Sequence, residues 1–195
     1  MLKPDINFSH KFSDDPFIAV STESGKMGSA DEIAEISFNG GLIVVDNHRS
    51  GLPPRQQLYS VLAGIGLSNK QIGKAAYVGE DTVKTGLQRS YDKLEINDRK
   101  QLAPLFMEIG VFNCVTAGRS LCLTDPEIAV VASQTAGYKQ AVNFNGEPIA
   151  LDTSKSHLKR ISKRSGLKGT ASIILGSLLS GETLPDIGRE AIPNF

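Results

Sequence analysis

Residues 67–94, LSNKQIGKAAYVGEDTVKTGLQRSYDKL, decide the fold, because their pattern is typical of two short helices joined by a tight turn. Ser68 followed three residues later by Gln71 is a capping box, which predicts a helix over 69–76. After a short break, the acidic pair at 80–81 opens a second helix, where the helix dipole favours negative charge. The stretch therefore predicts a helix–turn–helix.

The second of these helices has one apolar side and one polar side. Its apolar residues recur at spacings of four, four and three, which gives a single stripe: Val83, Leu87, Tyr91 and Leu94. The opposite side carries short polar and basic side chains: Thr82, Lys84, Thr85, Gln88, Arg89 and Asp92. A helix held by its apolar side and polar on the other suits insertion into the major groove of DNA.

A longer stretch around this pair, residues 52–105, resembles the DNA-binding domain of LuxR-type (GerE-like) transcriptional regulators. The matching elements are the LPPR start, GLSNKQI, DTVKT, an LxRxxxKL ending and NDRKQL after it, in the family's order. The resemblance implies a bacterial or phage-type regulator whose fourth helix, matched by residues 95–105, supports dimerisation. The promoter-reading C-terminal region of sigma factors is a close relative and is also compatible with LPPRQ.

Two glycines depart from the family's pattern. Gly79 stands where the family usually has a capping serine, and Gly86 replaces a residue that is often histidine. Each glycine lowers the intrinsic stability of the helix by about 1 kcal/mol. The departures bear on how strongly the unit binds.

A second copy of the pattern lies 71 residues further along, at 123–176. The shift places Leu123 on Leu52 and Gly137 on Gly66. It also places the helix pattern of 152–167, DTSKSHLKRISKRSGL, on that of 81–96. These matches predict the start and the recognition helix of a second unit.

The middle of this second copy has diverged. Residues 141–151, AVNFNGEPIAL, contain an Asn-Gly pair between apolar runs and a proline. Such a pattern favours a hairpin or loop over a helix. We therefore expect a degenerate second unit, or one that folds differently between its two matching ends.

The charge is unevenly distributed along a chain whose formal net charge is zero. Residues 1–50 and 123–151 are acidic, whereas 51–122 and 152–195 each carry a net charge of +3. The stretch 155–168 has six basic residues and no acidic one. Local basic patches of this kind are sufficient for contact with phosphates.

The N-terminal region and the overall organisation follow from composition. Residues 3–30 are rich in Ser, Asp, Lys and Gly, which predicts loose order. Apolar runs on either side of 39–41 predict a hairpin. FNG recurs at 144–146, so either two hairpins pair as one small sheet or the two turns are unrelated.

We therefore expect a mainly α fold: tandem LuxR-type helix–turn–helix units with one or two small β-hairpins. The predicted domains are an acidic N-terminal segment with a β-hairpin at 1–50, a LuxR-like helix–turn–helix domain at 51–118, and a degenerate second helix–turn–helix-like domain at 119–195.

Other classes of function find little support. His10, His48 and His157 share no metal-ligand spacing, and no motif of a phosphate loop, a nucleophile elbow or a zinc protease occurs. We expect no catalytic residue, cofactor, metal or small-molecule ligand. Without a long apolar run or a signal pattern, the cytoplasm is the expected location. Cys114 and Cys122 lie in apolar settings, which predicts buried free thiols.

These features predict a DNA-binding transcriptional regulator rather than an enzyme. In the first unit, base and phosphate contacts are expected from Thr82, Lys84, Thr85, Gln88 and Arg89, and backbone contacts from Lys70, Lys74 and Lys93. In the second unit the equivalent residues are Lys155, His157, Lys159, Arg160, Lys163 and Arg164.

Residues 98–109 predict a core helix or one that contacts a homodimer partner or another transcription factor, with Leu102, Leu105, Phe106 and Ile109 as its apolar stripe. The main alternative function uses this helix. The protein would then bind a LuxR-type factor and block that factor's DNA, as the neutral total charge and the eroded family positions also suggest. A sigma-like promoter reader is a third option, but no polymerase-binding region is recognisable.

Overall fold

The computed structural model describes residues 9–10, 18–22 and 33–182. Within these residues, seven helices pack with one five-stranded antiparallel sheet of order β1-β2-β3-β4-β5. The strands are β1 (Ser9–His10), β2 (Ile18–Thr22), β3 (Ile33–Phe38), β4 (Gly41–Val45) and β5 (Phe112–Thr116). The helices are α1 (Pro54–Gly64), α2 (Asn69–Ala75), α3 (Glu80–Leu94), α4 (Leu102–Glu108), α5 (Asp125–Thr135), α6 (Leu151–Ser165) and α7 (Thr170–Leu179). The prediction of a mainly α fold is confirmed.

The hairpin predicted around 39–41 is also confirmed. β3 and β4 pair in antiparallel register, with Phe38 opposite Gly41. Asn39 and Gly40 form the turn at φ values of 48° and 81°, the left-handed backbone that a two-residue hairpin turn of this hand needs. One face of the hairpin contributes to the core through Ile36, Phe38, Ile43 and Val45.

One expectation about the sheet is wrong, and the open question about the two turns is decided in favour of unrelated turns. Ile18–Thr22, inside the segment expected to be loosely ordered, forms a strand that pairs with β3. The second turn does close, through a bridge between Val142 and Pro148, but this hairpin stays apart from the sheet. β4 pairs instead with β5, which the sequence did not predict. Apart from β1 and β2, residues 3–30 lie outside the described part of the chain.

Residues 54–108, here called the first helical unit, contain the predicted helix–turn–helix. The backbone N–H of Gln71 donates to Ser68 Oγ at 3.3 Å, and the N–H of Ser68 donates to Gln71 Oε1 at 2.8 Å, so the capping box is confirmed. α3 starts at the predicted acidic pair. It buries Val83 and Leu87 completely against α1 and α2, with Tyr91 half-buried beside them.

Residues 125–179, here called the second helical unit, repeat the helix bounds of the first with an offset of 71. α5 matches α1, α6 matches α3, and α7 matches a 3₁₀ turn at Arg99–Gln101 together with α4. α2 has no counterpart, because residues 136–150 form a loop closed by the Val142–Pro148 bridge. The prediction of a loop or hairpin between two matching ends is therefore confirmed.

The two units share one hydrophobic core. The segment 98–109 lies between α1 and α7, and Leu102 and Phe106 are fully buried there, while Leu105 and Ile109 are half-buried. The ring of Phe106 meets that of Phe112 edge-on, with ring centres 5.3 Å apart. This segment is therefore a core helix that joins the two units within one chain.

The prediction of buried thiols is wrong. Cys114 and Cys122 are free, as expected, but both are exposed. Cys114 lies on an edge strand whose residues after Phe112 are all exposed, and Cys122 lies in a loop at a left-handed φ of 49°, so their apolar sequence neighbours do not cover them. In the described ranges, no helix combines the length and apolar character that crossing a bilayer requires.

Candidate nucleic-acid interface

The polar side of α3 faces solvent along its whole length. Every residue predicted to contact DNA from this helix is exposed: Thr82, Lys84, Thr85, Gln88, Arg89 and Lys93. The opposite side is packed, and the buried Ser90 hydroxyl donates to the Gly86 carbonyl at 3.0 Å, which satisfies it within the helix. The helix is therefore held firmly from one side while its other side is open.

Two of these side chains have partners within the protein. Gln88 Nε2 donates to Asp92 Oδ1 at 3.0 Å on the helix surface. Lys93 Nζ donates to the Gly51 carbonyl at 2.6 Å, which ties the end of α3 to the segment before α1. Lys84 and Arg89 have no polar partner among residues 33–182. These two cations are free to bind an external acceptor.

A groove between α1 and α3 brings in a cation that sequence reasoning missed. The groove has a volume of about 470 Å³, and Arg55, Thr85 and Arg89 line it together. Arg55 lies in the first turn of α1 and is exposed. Its position in the LPPR start, next to a helix cap, was the signal available in the sequence.

The floor of this groove explains why position 86 is a glycine. A Cβ added at Gly86 would lie 2.7 Å from the ring of Tyr59, which is closer than real Cβ contacts come. Tyr59 is buried on α1 and fills the space that a longer side chain at 86 would need. In the second unit the residues at the matching positions are Val130 and His157, so the smaller residue of the pair is on α5 and the larger one on α6.

The turn between α2 and α3 forms a second part of the candidate interface. Lys70 and Lys74 are exposed on α2 and line a shallow groove with Tyr77. Tyr77 is 87% exposed at a φ of 54°, so its ring projects from the turn beside both lysines. Sequence reasoning also missed Tyr77, although an exposed aromatic in a polar turn is a typical binding residue.

α6 presents the more basic surface of the two units. It carries five basic residues against one acidic residue, whereas α3 has three of each. Of the predicted residues, Lys155, Lys159, Arg160, Lys163 and Arg164 are exposed, and His157 is half-buried. Lys155 pairs with Asp152 at 3.2 Å on the surface, and Arg160 Nη2 lies 3.0 Å from His157 Nδ1. A pair so exposed is easily exchanged for a phosphate.

Arg164 has an internal role instead. Its Nη2 lies 2.8 Å from Glu127 Oε2, and its Nε donates to the Leu121 carbonyl at 3.1 Å. The Glu127 side chain is only 3% exposed. Burial alone would raise the pKa of Glu127, but hydrogen bonds from Arg164 and from the N–H of Thr124 outweigh burial and lower that pKa. Arg164 therefore fastens α6 to α5.

No group of His, Cys, Asp and Glu in the described residues has the arrangement of a metal site. Comparison with protein-family models, with curated proteins and with solved structures finds no match to this chain. The candidate interface consists of two solvent-facing polar helix sides, on α3 and α6, and both helices pack on a shared core.

Proposed function

We propose that the protein is a sequence-specific DNA-binding transcriptional regulator that reads the major groove with LuxR-type helix–turn–helix units. The observation that supports this proposal best is the polar side of α3. This side is exposed from end to end, and it carries Lys84 and Arg89, which have no polar partner among residues 33–182. The opposite side is packed into the core. A rigid helix with free donors on its outer side has the form that base reading requires.

In the first unit, the side chains of α3 are suited to base contacts, and the cations of α2 and α1 are suited to phosphate contacts. Arg89 offers a planar guanidinium that can bind the O6 and N7 atoms of guanine, and Thr85 and Gln88 offer shorter polar contacts. Lys70 and Lys74 on α2, with Arg55 on α1, lie around this helix and would contact phosphates. α3 would therefore supply specificity in the first unit.

The second unit would contribute more to affinity than to base reading. α6 exposes Lys155, Lys159, Arg160 and Lys163 on a helix with a net charge of +4. Each phosphate neutralised by a cation releases counterions and strengthens binding at low salt. We leave Arg164 out of this interface, because Glu127 and the Leu121 carbonyl already occupy its guanidinium.

Packing favours DNA over the alternative partner, a LuxR-type transcription factor bound through 98–109. The apolar residues of that segment are largely buried between α1 and α7, so little of the segment's apolar side is left for a second protein. Exposed polar groups suited to DNA lie on other helices, so the two partners would use different surfaces.

The test is selection of bound sequences from a random DNA library by the full chain, followed by titration of the selected site. Arg89→Ala should weaken binding by about 1–3 kcal/mol and relax the sequence preference at one position. Arg119→Ala removes another exposed arginine, near the Asn39-Gly40 turn, and serves as the charge-matched control. Equal affinity of both variants and the parent would remove α3 as the reader.

The salt dependence of the same titration separates DNA binding from the alternative. A steep loss of affinity with rising salt is expected, since binding depends on several phosphate contacts. Failure to enrich any sequence, together with saturable binding of a LuxR-type factor, would establish the alternative instead.

A further inference from the structure

We propose that the two helical units are related by an internal two-fold axis, so that one chain binds one DNA site made of two inverted half-sites of different sequence. This inference rests on the proposed function. It adds the arrangement of the target and the stoichiometry of the complex.

The first observation is the pairing of equivalent strands. The bounds of β4 (Gly41–Val45) and β5 (Phe112–Thr116) differ by 71 residues, the same offset that relates the helices. A strand therefore precedes each helical unit at the same distance. β4 and β5 pair antiparallel, with Ile43 opposite Cys114, and these two residues also differ by 71. Equivalent strands that pair antiparallel are related by a two-fold axis, which here passes through this residue pair.

A single irregularity breaks this symmetry. Two-fold symmetry about the Ile43–Cys114 pair places Val44 opposite Asn113 and Val45 opposite Phe112, as observed, but it would place Leu42 opposite Val115, and the observed partner of Leu42 is Thr116. The register slips by one residue between Leu42 and Ile43, which accounts for the difference. The symmetry is therefore approximate at the strands.

The second observation is a pair of reciprocal contacts between the units. Gly66 follows α1 at a φ of 97°, and a Cβ there would lie 1.9 Å from Ser172 Oγ on α7. Gly137 follows α5 at a φ of 79°, and a Cβ there would lie 2.8 Å from Gln101 Nε2, beside α4.

Both the glycines and the side chains that meet them differ by 71 in number. Each unit thus receives from the other the contact that it gives, which is the defining property of a two-fold, isologous interface. The strands and these helix ends indicate the same relation, although they are far apart in the sequence.

A two-fold axis fixes how α3 and α6 meet a duplex. A duplex centred on the axis would present one strand to α3 and the other strand to α6 in the same manner, so the two half-sites are inverted. The half-sites differ in sequence because the helices differ: Thr85, Gly86 and Gln88 of α3 correspond to Ser156, His157 and Lys159 of α6. One chain therefore does what usually takes two identical chains.

The experiment uses the full chain and the DNA selected from the random library. We expect two dissimilar half-sites in inverted orientation and a complex of one chain per duplex by mass measurement. Inserting about five base pairs between the half-sites, half a helical turn, should weaken binding at least about tenfold, because the shared core holds the units rigidly.

Matched variants assign each half-site to a unit. Arg89→Ala should flatten the sequence preference in one half-site only, and Arg160→Ala, the equivalent change on α6, in the other only. Two half-sites in direct orientation, a single half-site, two chains on one site, or two duplexes held by one chain would each overturn the inference and leave the proposed function standing. Enrichment of no sequence would overturn both.

Discussion

The two helical units hold their equivalent helices, α3 and α6, by different means. In the first unit, α3 packs on α1 and α2, and the fully buried Val83 and Leu87 anchor it. In the second unit, α6 has no helix equivalent to α2; Ile161 is buried, and the Arg164–Glu127 pair fixes the end of the helix. The comparison teaches that an ion pair to a buried carboxylate, together with an ordered loop, can replace a packing helix without moving the bounds of the helix they support.

The loop that replaces α2 is ordered by side-chain hydrogen bonds. Asn143 Oδ1 accepts the backbone N–H groups of Asn145 and Glu147 at 3.0 and 2.9 Å, which closes the turn. The N–H of Val142 donates to the buried Ser133 Oγ at 3.0 Å, which attaches the loop to α5. These bonds satisfy backbone groups that a helix would otherwise have paired.

The largest effect is expected where the units exchange contacts. Gly66→Ala should lower the free energy of unfolding by about 2–4 kcal/mol, because it places an alanine at a positive φ and its Cβ clashes with Ser172. Gly137→Ala should cost about 1–2 kcal/mol, since the flexible end of Gln101 can move aside. Chemical denaturation of each variant measures both values.

A matched control isolates the strain of the backbone in these substitutions. Gly51 also has a positive φ, 64°, but nothing lies within 4 Å of a Cβ added there. Gly51→Ala should therefore cost only the strain, about 1 kcal/mol. Equal losses at Gly66 and Gly51 would show that the contact with Ser172 is loose, and the reciprocal contacts would then no longer support two-fold packing.

The features that could be predicted from the sequence are those set by residues close together in the chain. The bounds of α2 and α3 follow from the Ser68–Gln71 capping box and the stripe through Val83, all local signals that the sequence displays. The loop before α6 could be predicted for the same reason, because the Asn-Gly pair and the proline within 141–151 directly restrict the backbone conformation.

Other features depend on residues that are distant in the chain. β5 forms an edge strand because β4 is available to pair with it, and its own residues, FNCVT, give little indication of this. In the sequence, Arg164 is one of several basic residues of α6. Its partner Glu127 lies 37 residues away in the chain, so only the fold shows that the two are paired. Arg55 belongs to the candidate site only because α1 and α3 enclose a common groove.

The next effect compares the residues that fasten the ends of α3 and α6. Arg164→Ala leaves the carboxylate of Glu127 buried without its cation and should lower the free energy of unfolding by about 1–2 kcal/mol. Lys93→Ala, the equivalent change in the first unit, breaks only an exposed bond to the Gly51 carbonyl and should cost about 0.5 kcal/mol or less. Similar losses from both substitutions would contradict the view that the units are anchored differently.

Acidification should weaken the Arg164–Glu127 pair by protonating Glu127. Because the folded-state pKa of Glu127 lies below its ordinary value, this group adds stability at pH values above the ordinary pKa. That stability is lost as the pH falls through the lowered, folded-state pKa. Glu127→Gln removes the titrating group, so the free energy of unfolding of this variant should fall less steeply on acidification than that of the parent. Parallel pH profiles for the two proteins would show that Glu127 is not a source of acid sensitivity.

The smallest effect concerns Gly86, which packs against the ring of Tyr59 in the first unit. Alanine normally stabilises a helix relative to glycine by about 1 kcal/mol, yet Gly86→Ala should destabilise the protein by about 1 kcal/mol, because the new Cβ meets the ring of Tyr59 at 2.7 Å. Replacing that ring with the residue of the second unit, in Tyr59→Val, should remove the conflict. In the Tyr59→Val background, Gly86→Ala should then be neutral or stabilising, and a double-mutant cycle should give a coupling of about 1–2 kcal/mol. A coupling near zero would mean that Tyr59 does not dictate the glycine, and the difference between Gly86 and His157 would need a cause outside the packing of α1 on α3.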